Sequence, residues 1–255
     1  MPSKTSILVI VSAMLFSAAS GRAQEGKKDA KAVEIAESMM KAMGGQNAWN
    51  AAHFVRYDFK VTAGGKTVAN RSHLWDKHGG RYRLEQKNKA GEPEVVLFNT
   101  ATKQGSVFVK GKKIDGDEAD AALKSAYGTY INDMYWLSMP WKWMDVGVHL
   151  KYAGTEKGSE VVQLSFDKVG LTPGDQYKAY VSPTSHLMTH WEYTLQSGNK
   201  GSWDWQYVDA GGGVKLASDH TSADGKSINM GPVQVLSTVA DEYFTDPSRT
   251  LQTLK

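Results

Sequence analysis

Residues 55–84, VRYDFKVTAGGKTVANRSHLWDKHGGRYRL, decide the fold. At their start Tyr57, Phe59 and Val61 alternate with Asp58, Lys60 and Thr62, the period-two pattern of a strand with one buried face. Gly64-Gly65 and Gly79-Gly80 then supply two-residue connections of the kind that tolerate positive φ and fold a chain back into antiparallel pairing. Closing the first loop between Ala63 and Lys66 sets Asp58 opposite Arg71 and Val61 opposite Val68. Closing the second between His78 and Arg81 sets Asp76 opposite Arg83 and Trp75 opposite Leu84. Two cross-strand pairs of opposite charge are thereby expected.

The same pattern extends in both directions. The apolar run 95–98 reads as a central strand and 106–109 as the next, turning at Lys110-Gly111. Beyond Pro140 the alternation returns over 148–152, 162–166 and 177–181, then over 186–196, 202–208, 214–221 and 228–239, the last bulged at Gly231-Pro232. Two segments carry the helical period instead. Asp29 is the N-cap of a helix that gathers Ala32, Ile35, Ala36, Met39 and Met43 on one side and stops at Gly44-Gly45. The acidic stretch 115–120 opens a second helix, with Ala119, Leu123, Ala126, Tyr127, Tyr130 and Met134 on one side, ending near Trp136. About ten or eleven strands must curl, close or split. The expected class is α+β: a large curled antiparallel sheet forming an incomplete β-barrel, covered by two or so α-helices.

Composition bounds the chemistry. A chain of 255 residues with 41% apolar and 22% charged residues has enough hydrophobic material for a core and no linker that divides it, so residues 29–255 read as one domain. The absence of Cys removes disulfides, thiolate nucleophiles and cysteine metal sites. Lys4, the short apolar segment 7–18 and the small residues around Ala23 read as a signal peptide over 1–23, followed by a solvated spacer at 24–28. That leader holds Lys4 and Arg22 and no acid, so its removal takes the net charge from +3 to +1. A nearly neutral mature chain lacks the footprint of a nucleic-acid binder, and no later segment approaches a membrane span.

One constellation suggests a binding surface. With Gln196 opposite Ser202, the loop 197–201 sets Leu195 against Trp203, Tyr193 against Trp205 and Trp191 against Tyr207, six residues on one sheet face. Each buried aromatic removes about 150–250 Å² from water, so this face is either core or the wall of a ligand site. Trp136, Trp141 and Trp143 flank Met139-Pro140 after the second helix and suit the edge of a covering lid or a core corner. Catalytic signals are absent. His186 and His190 stand about 13 Å apart on a strand, too far to share a metal ion. Glu192 and Asp204 read as polar residues on a solvated face, and Gly211-Gly212-Gly213 is a turn because a strand follows it. No catalytic residue, metal ligand or cofactor is expected.

The order leader, helix, Gly-Gly and long meander with an inserted helix resembles the LolA/LolB-like superfamily of periplasmic half-barrel proteins. Met43-Gly44-Gly45 with Trp49, His73-Leu74-Trp75-Asp76 with Gly80-Arg81-Tyr82-Arg83, and Asn132-Asp133 with Tyr135, Leu137 and Pro140 resemble an uncharacterised family of secreted bacterial proteins within that group. The resemblance implies a helix-capped, unclosed barrel that holds acyl chains, with an arginine that latches the lid; Arg56, Arg71, Arg81 and Arg83 are the candidates. The leading expectation is a secreted, periplasmic, non-enzymatic protein that binds an apolar or amphipathic, lipid-like molecule, with lipid or lipoprotein carriage as its task. The alternatives are a cell-envelope scaffold with a filled barrel that contacts a protein partner, and a hydrolase using scattered His and Asp residues.

Overall fold

The alternation at residues 54–63 becomes strand β1 (Phe54–Ala63), whose inward Val55, Tyr57 and Phe59 are buried. The structure is a computed structural model and describes residues 26–167 and 171–254, so the expected leader at 1–23 lies outside the described residues. Beside β1 one wing follows in chain order: β2 (Lys66–Asp76), β3 (Arg81–Lys87), β4 (Pro93–Asn99), β5 (Gly105–Val109) and β6 (Lys112–Ile114). The other wing runs β7 (Val148–Glu156), β8 (Ser159–Phe166), β9 (Gln176–Val181), β10 (Met188–Thr194), β11 (Lys200–Asp209) and β12 (Lys215–Ser222). The short β13 (Ser227–Asn229) joins the wings by pairing with both β12 and β1, and β14 (Gln234–Leu236) pairs with the start of β1. Every pairing between these strands is antiparallel. The fourteen strands among the described residues form one sheet whose terminal strands β6 and β7 do not meet, so it is curled and open. The added strands are β6 and the two pieces into which Gly231-Pro232 divides the expected final strand.

Four α-helices among the described residues accompany the sheet: α1 (Ala30–Ala42), α2 (Gln46–Ala51), α3 (Gly116–Ser138) and α4 (Glu242–Thr245). Helix α1 buries Ala32, Ile35, Ala36, Met39 and Met40 in the core of the second wing. Asp29 precedes it with extended backbone, but its carboxylate caps nothing in the helix and accepts from the Tyr152 N–H at 3.0 Å. At the far end Gly44 has φ +118°, and a Cβ there would lie 1.9 Å from the Gly213 carbonyl oxygen, so only glycine lets the two turns meet. Part of the expected spacer, residues 26–28, is not solvated coil. Lys27 accepts from Leu150 N–H and Asp29 donates to Leu150 O at 3.0 and 2.9 Å, covering edge strand β7.

The register of β1 and β2 corrects the expected charge pairs. The Ala63–Lys66 closure is present, but Val68 is an extra, half-exposed residue in β2, and beyond it Asp58 faces Ser72 while Arg71 faces Phe59. Because side chains alternate, this bulge moves Arg71, His73 and Trp75 to the concave face that Tyr57 and Phe59 occupy. The second loop is four residues rather than two. Asp76 accepts from Gly79 N–H at 2.7 Å and pairs with Arg81, so Trp75 faces Tyr82 and Leu74 faces Arg83.

Arg83 therefore points outward, yet it is fully buried. The C-terminal segment, including α4, crosses the outer face of β1–β3 and supplies Phe244 and Leu251 to a small core with Phe54 and Leu74. The Arg83 guanidinium donates to the carbonyls of Tyr243, Asp246, Pro247 and Arg249 and to the Glu85 carboxylate, which in turn accepts from Leu251 N–H. One side chain thus gathers a segment that holds only two short helical turns. Replacing Arg83→Met should cost about 3 kcal/mol, since it orphans buried carbonyls and the Glu85 charge, and should expose residues 241–254 to limited proteolysis before the sheet unfolds. Urea denaturation and a protease time course check both.

Candidate functional site

Helix α3 makes two different contacts, one with each wing. Toward the first wing, Ala119, Ala126, Tyr130 and Met134 pack on Tyr82, Leu84, Val96 and Phe98. Asp133, on the same stretch, has no solvent exposure. Its carboxylate accepts from Arg71 Nε at 2.6 Å and Nη2 at 2.9 Å, a two-pronged pair, and from Asn132 Nδ2 at 2.8 Å, while His73 Nε2 lies 3.1 Å away. His73 Nδ1 is 2.9 Å from the Tyr82 hydroxyl, which is 2.7 Å from that of Tyr57. Burial alone pushes the Asp133 carboxyl up, but the Arg71 charge and then His73 hold it below its ordinary value. Burial lowers His73 below 6.5 despite Asp133. The pair is ionised Asp133 with Arg71, and His73 beside it is neutral. Of the four candidate arginines, Arg71 is the one bonded to α3.

Toward the second wing, α3 inserts Trp136. The ring lies 4.9 Å from Trp191, 5.2 Å from Trp203, 6.2 Å from Trp205, 6.4 Å from Tyr193 and 5.1 Å from His220, mostly edge to face. The β10–β11 loop spans 195–199, so Trp191 faces Trp203 and Tyr193 faces Gly201, four places from the expected register. An even shift preserves the face, and the aromatic residues remain together on the concave side. Trp191, Trp203 and Trp205 are buried, with Tyr193 and Tyr207 partly so. Leu195 falls in the loop and is outside this cluster. The sequence reading missed three members. Tyr177 stacks on Trp191 at 4.9 Å, Tyr135 packs on both, and His220 packs on Trp205 at 4.3 Å. Tyr135 adjoins Trp136 in the chain, whereas the irregular β11–β12 register hides the inward turn of His220.

The aromatic cluster includes buried polar atoms that the protein leaves unserved. Trp191 Nε1, Trp205 Nε1, the Tyr207 hydroxyl and both His220 ring nitrogens are buried and make no hydrogen bond of ordinary geometry. Each such group costs about 1–3 kcal/mol. Burial lowers His220 to about 3, outweighing the Trp136 backbone, and raises the Tyr207 hydroxyl. By contrast Trp141 and Trp143 are ordinary core: Trp141 Nε1 donates to Lys215 O at 3.2 Å and its ring stacks on Trp49 at 5.2 Å, while Trp143 Nε1 lies 2.9 Å from Met139 Sδ.

The outer face is polar. His190 Nδ1 lies 2.7 Å from Asp204 Oδ1 and Nε2 lies 3.1 Å from Ser202 Oγ, the connectivity of a hydrolase relay. β11 is paired on both sides, so the ladder engages the backbone N–H groups that an oxyanion would need. Two surface grooves of about 670 and 530 Å³ meet at Glu192, Tyr193 and Thr194. No cluster of three or more metal-ligating side chains occurs among the described residues, and none of their helices is long and apolar enough to cross a membrane.

No protein-family model matches the chain, and no curated protein matches it by sequence. Solved structures similar to it include a LolA superfamily protein from Nitrosomonas europaea, 10% identical over 84% of this chain and 96% of that one, with a TM-score of 0.48. A DUF1329 family protein from Desulfovibrio piger is 12% identical over 84% and 96%, with a TM-score of 0.47. The Mycobacterium tuberculosis lipoprotein LppX is 9% identical over 82% and 99%, with a TM-score of 0.32.

The buried imidazoles make stability acid-sensitive. His73 and His220 have folded values below 6.5, so the unfolded chain binds protons first as pH falls and stability drops below about pH 6.5, for His220 down to about 3. The depressed Asp133 adds a loss at lower pH with the same sign. Urea unfolding between pH 7 and 5 should show a loss that steepens below pH 6.5, with the His220 contribution approaching about 1.4 kcal/mol per pH unit and His73 adding a loss of the same sign, and His220→Phe should remove the His220 contribution.

Proposed function

We propose that this is a secreted, periplasmic, non-enzymatic protein that binds an apolar or amphipathic, lipid-like molecule in the chamber between the concave face of β10–β12 and α3. Lipid or lipoprotein carriage is the task such a site would serve. The leader reading, the family resemblance and the near-neutral mature chain are consistent with it. The observation that carries it is the place of Trp136: five neighbouring rings line the sheet, and one indole from a helix fills the space over them. Withdrawing that side chain opens an aromatic wall to a ligand. Affinity would come from burying hydrocarbon at about 25 cal/mol per Å², less the cost of displacing Trp136.

The close ring contacts favour a second reading, in which the filled chamber belongs to an envelope scaffold that meets a protein partner elsewhere on its surface. Two measurements separate them. Protein purified from the periplasm and examined by native mass spectrometry and solvent extraction should carry about one lipid-like molecule per chain. Trp136→Ala should raise affinity for an apolar fluorescent probe by about tenfold while leaving a cooperative unfolding transition. A chain that is repeatedly empty, with a variant that is only less stable, supports the scaffold.

A further inference from the structure

We propose that the chamber selects an uncharged, hydrogen-bond-accepting head group, a carbonyl of the ester or ketone type, carried on an apolar body. The inference rests on the chamber being the ligand site. Its basis is three buried polar atoms of the cluster without partners, the indole N–H groups of Trp191 and Trp205 and the Tyr207 hydroxyl; the His220 ring beside them faces the Trp136 backbone. These residues are one patch, since Trp205 lies 5.3 Å from Trp191, 6.4 Å from Tyr207 and 4.3 Å from His220 between ring centres. An indole nitrogen only donates, so whatever relieves Trp191 and Trp205 must accept. A carbonyl oxygen has two lone pairs, enough for both indoles.

Charge narrows the choice. The rings that pack against Trp205 are Trp136, Trp191, Tyr207 and His220, and none supplies a cation. A carboxylate or phosphate drawn into this patch would be desolvated without a counter-charge. A quaternary ammonium would be attracted to the ring faces but would leave both indole N–H groups unpaired, and so would plain hydrocarbon. Trp136 stacks nearly parallel to Trp205, 16° between planes, and so covers the patch that the ligand would engage. The closed packing therefore keeps donors unsatisfied that apolar residues would not have, and a neutral acceptor is the chemistry that repairs the mismatch.

The test uses the mature chain and four probes sharing a palmityl chain: the methyl ester, the carboxylate, a trimethylammonium and the plain alkane. They are delivered from cyclodextrin, and binding is read by tryptophan fluorescence and calorimetry. The methyl ester should bind about tenfold more tightly than each of the other three. Trp191→Phe and Trp205→Phe keep a ring and lose a donor, and each should weaken the ester by about fivefold to tenfold while leaving the alkane unchanged. Tyr207→Phe, at a partly exposed position, gives the same readout if an indole variant fails to fold. Equal binding of all four probes, or preference for either charged one, overturns the head-group inference and leaves the chamber as a ligand site. Failure of all four to bind overturns both.

Discussion

A carboxylate without solvent exposure fixes, on the first wing, the one helix that reaches over both wings of this sheet. Asp133 is tolerable in the interior because Arg71 meets both its oxygens and His73 lies beside it. Remove that pairing and the packing of Ala119, Ala126, Tyr130 and Met134 on the first wing loses its ion-paired anchor. The position of Trp136 follows from it, since three positions along the same helix separate the anchored carboxylate from the indole that packs on the sheet's rings. The pairing in turn depends on Val68, whose bulge turns Arg71 to the concave side.

Two halves of the sheet solve the burial of their faces differently. On the first wing α3 covers the concave side, and the C-terminal segment, gathered by Arg83, covers much of the outer side of β1–β3. On the second wing α1 and Trp136 cover the concave side while the outer side stays polar and open to solvent. Packing is not of one quality throughout. Trp141 and Trp143 have partners for their indole nitrogens, as core tryptophans do, whereas Trp191 and Trp205 lie in equally dry surroundings without them. Phenylalanine at those two positions would bury a ring without leaving a donor unpaired.

Three of the stretches that carried the family resemblance meet in space. His73 from His-Leu-Trp-Asp, Tyr82 from Gly-Arg-Tyr-Arg and Asp133 from Asn-Asp form one hydrogen-bonded group, with Trp75 and Tyr82 both edge-on to Tyr130. Their separation in the chain, and the bulge between the first of them and the Gly64-Gly65 turn, kept that convergence out of reach of a reading based on alternation.

The amino-acid sequence by itself determined the class of this protein: period-two alternation punctuated by glycine makes a long antiparallel meander, two helical periods make its covers, and strict alternation confines the aromatic residues of β10 and β11 to one face. That last conclusion survived a shift of four places because the shift was even. Tertiary structure alone decided which side Arg71 faces, where His220 turns inward and how Arg83 gathers the C-terminal segment. Each of these rests on a one-residue irregularity or on contacts between residues more than sixty positions apart, which local periodicity does not encode.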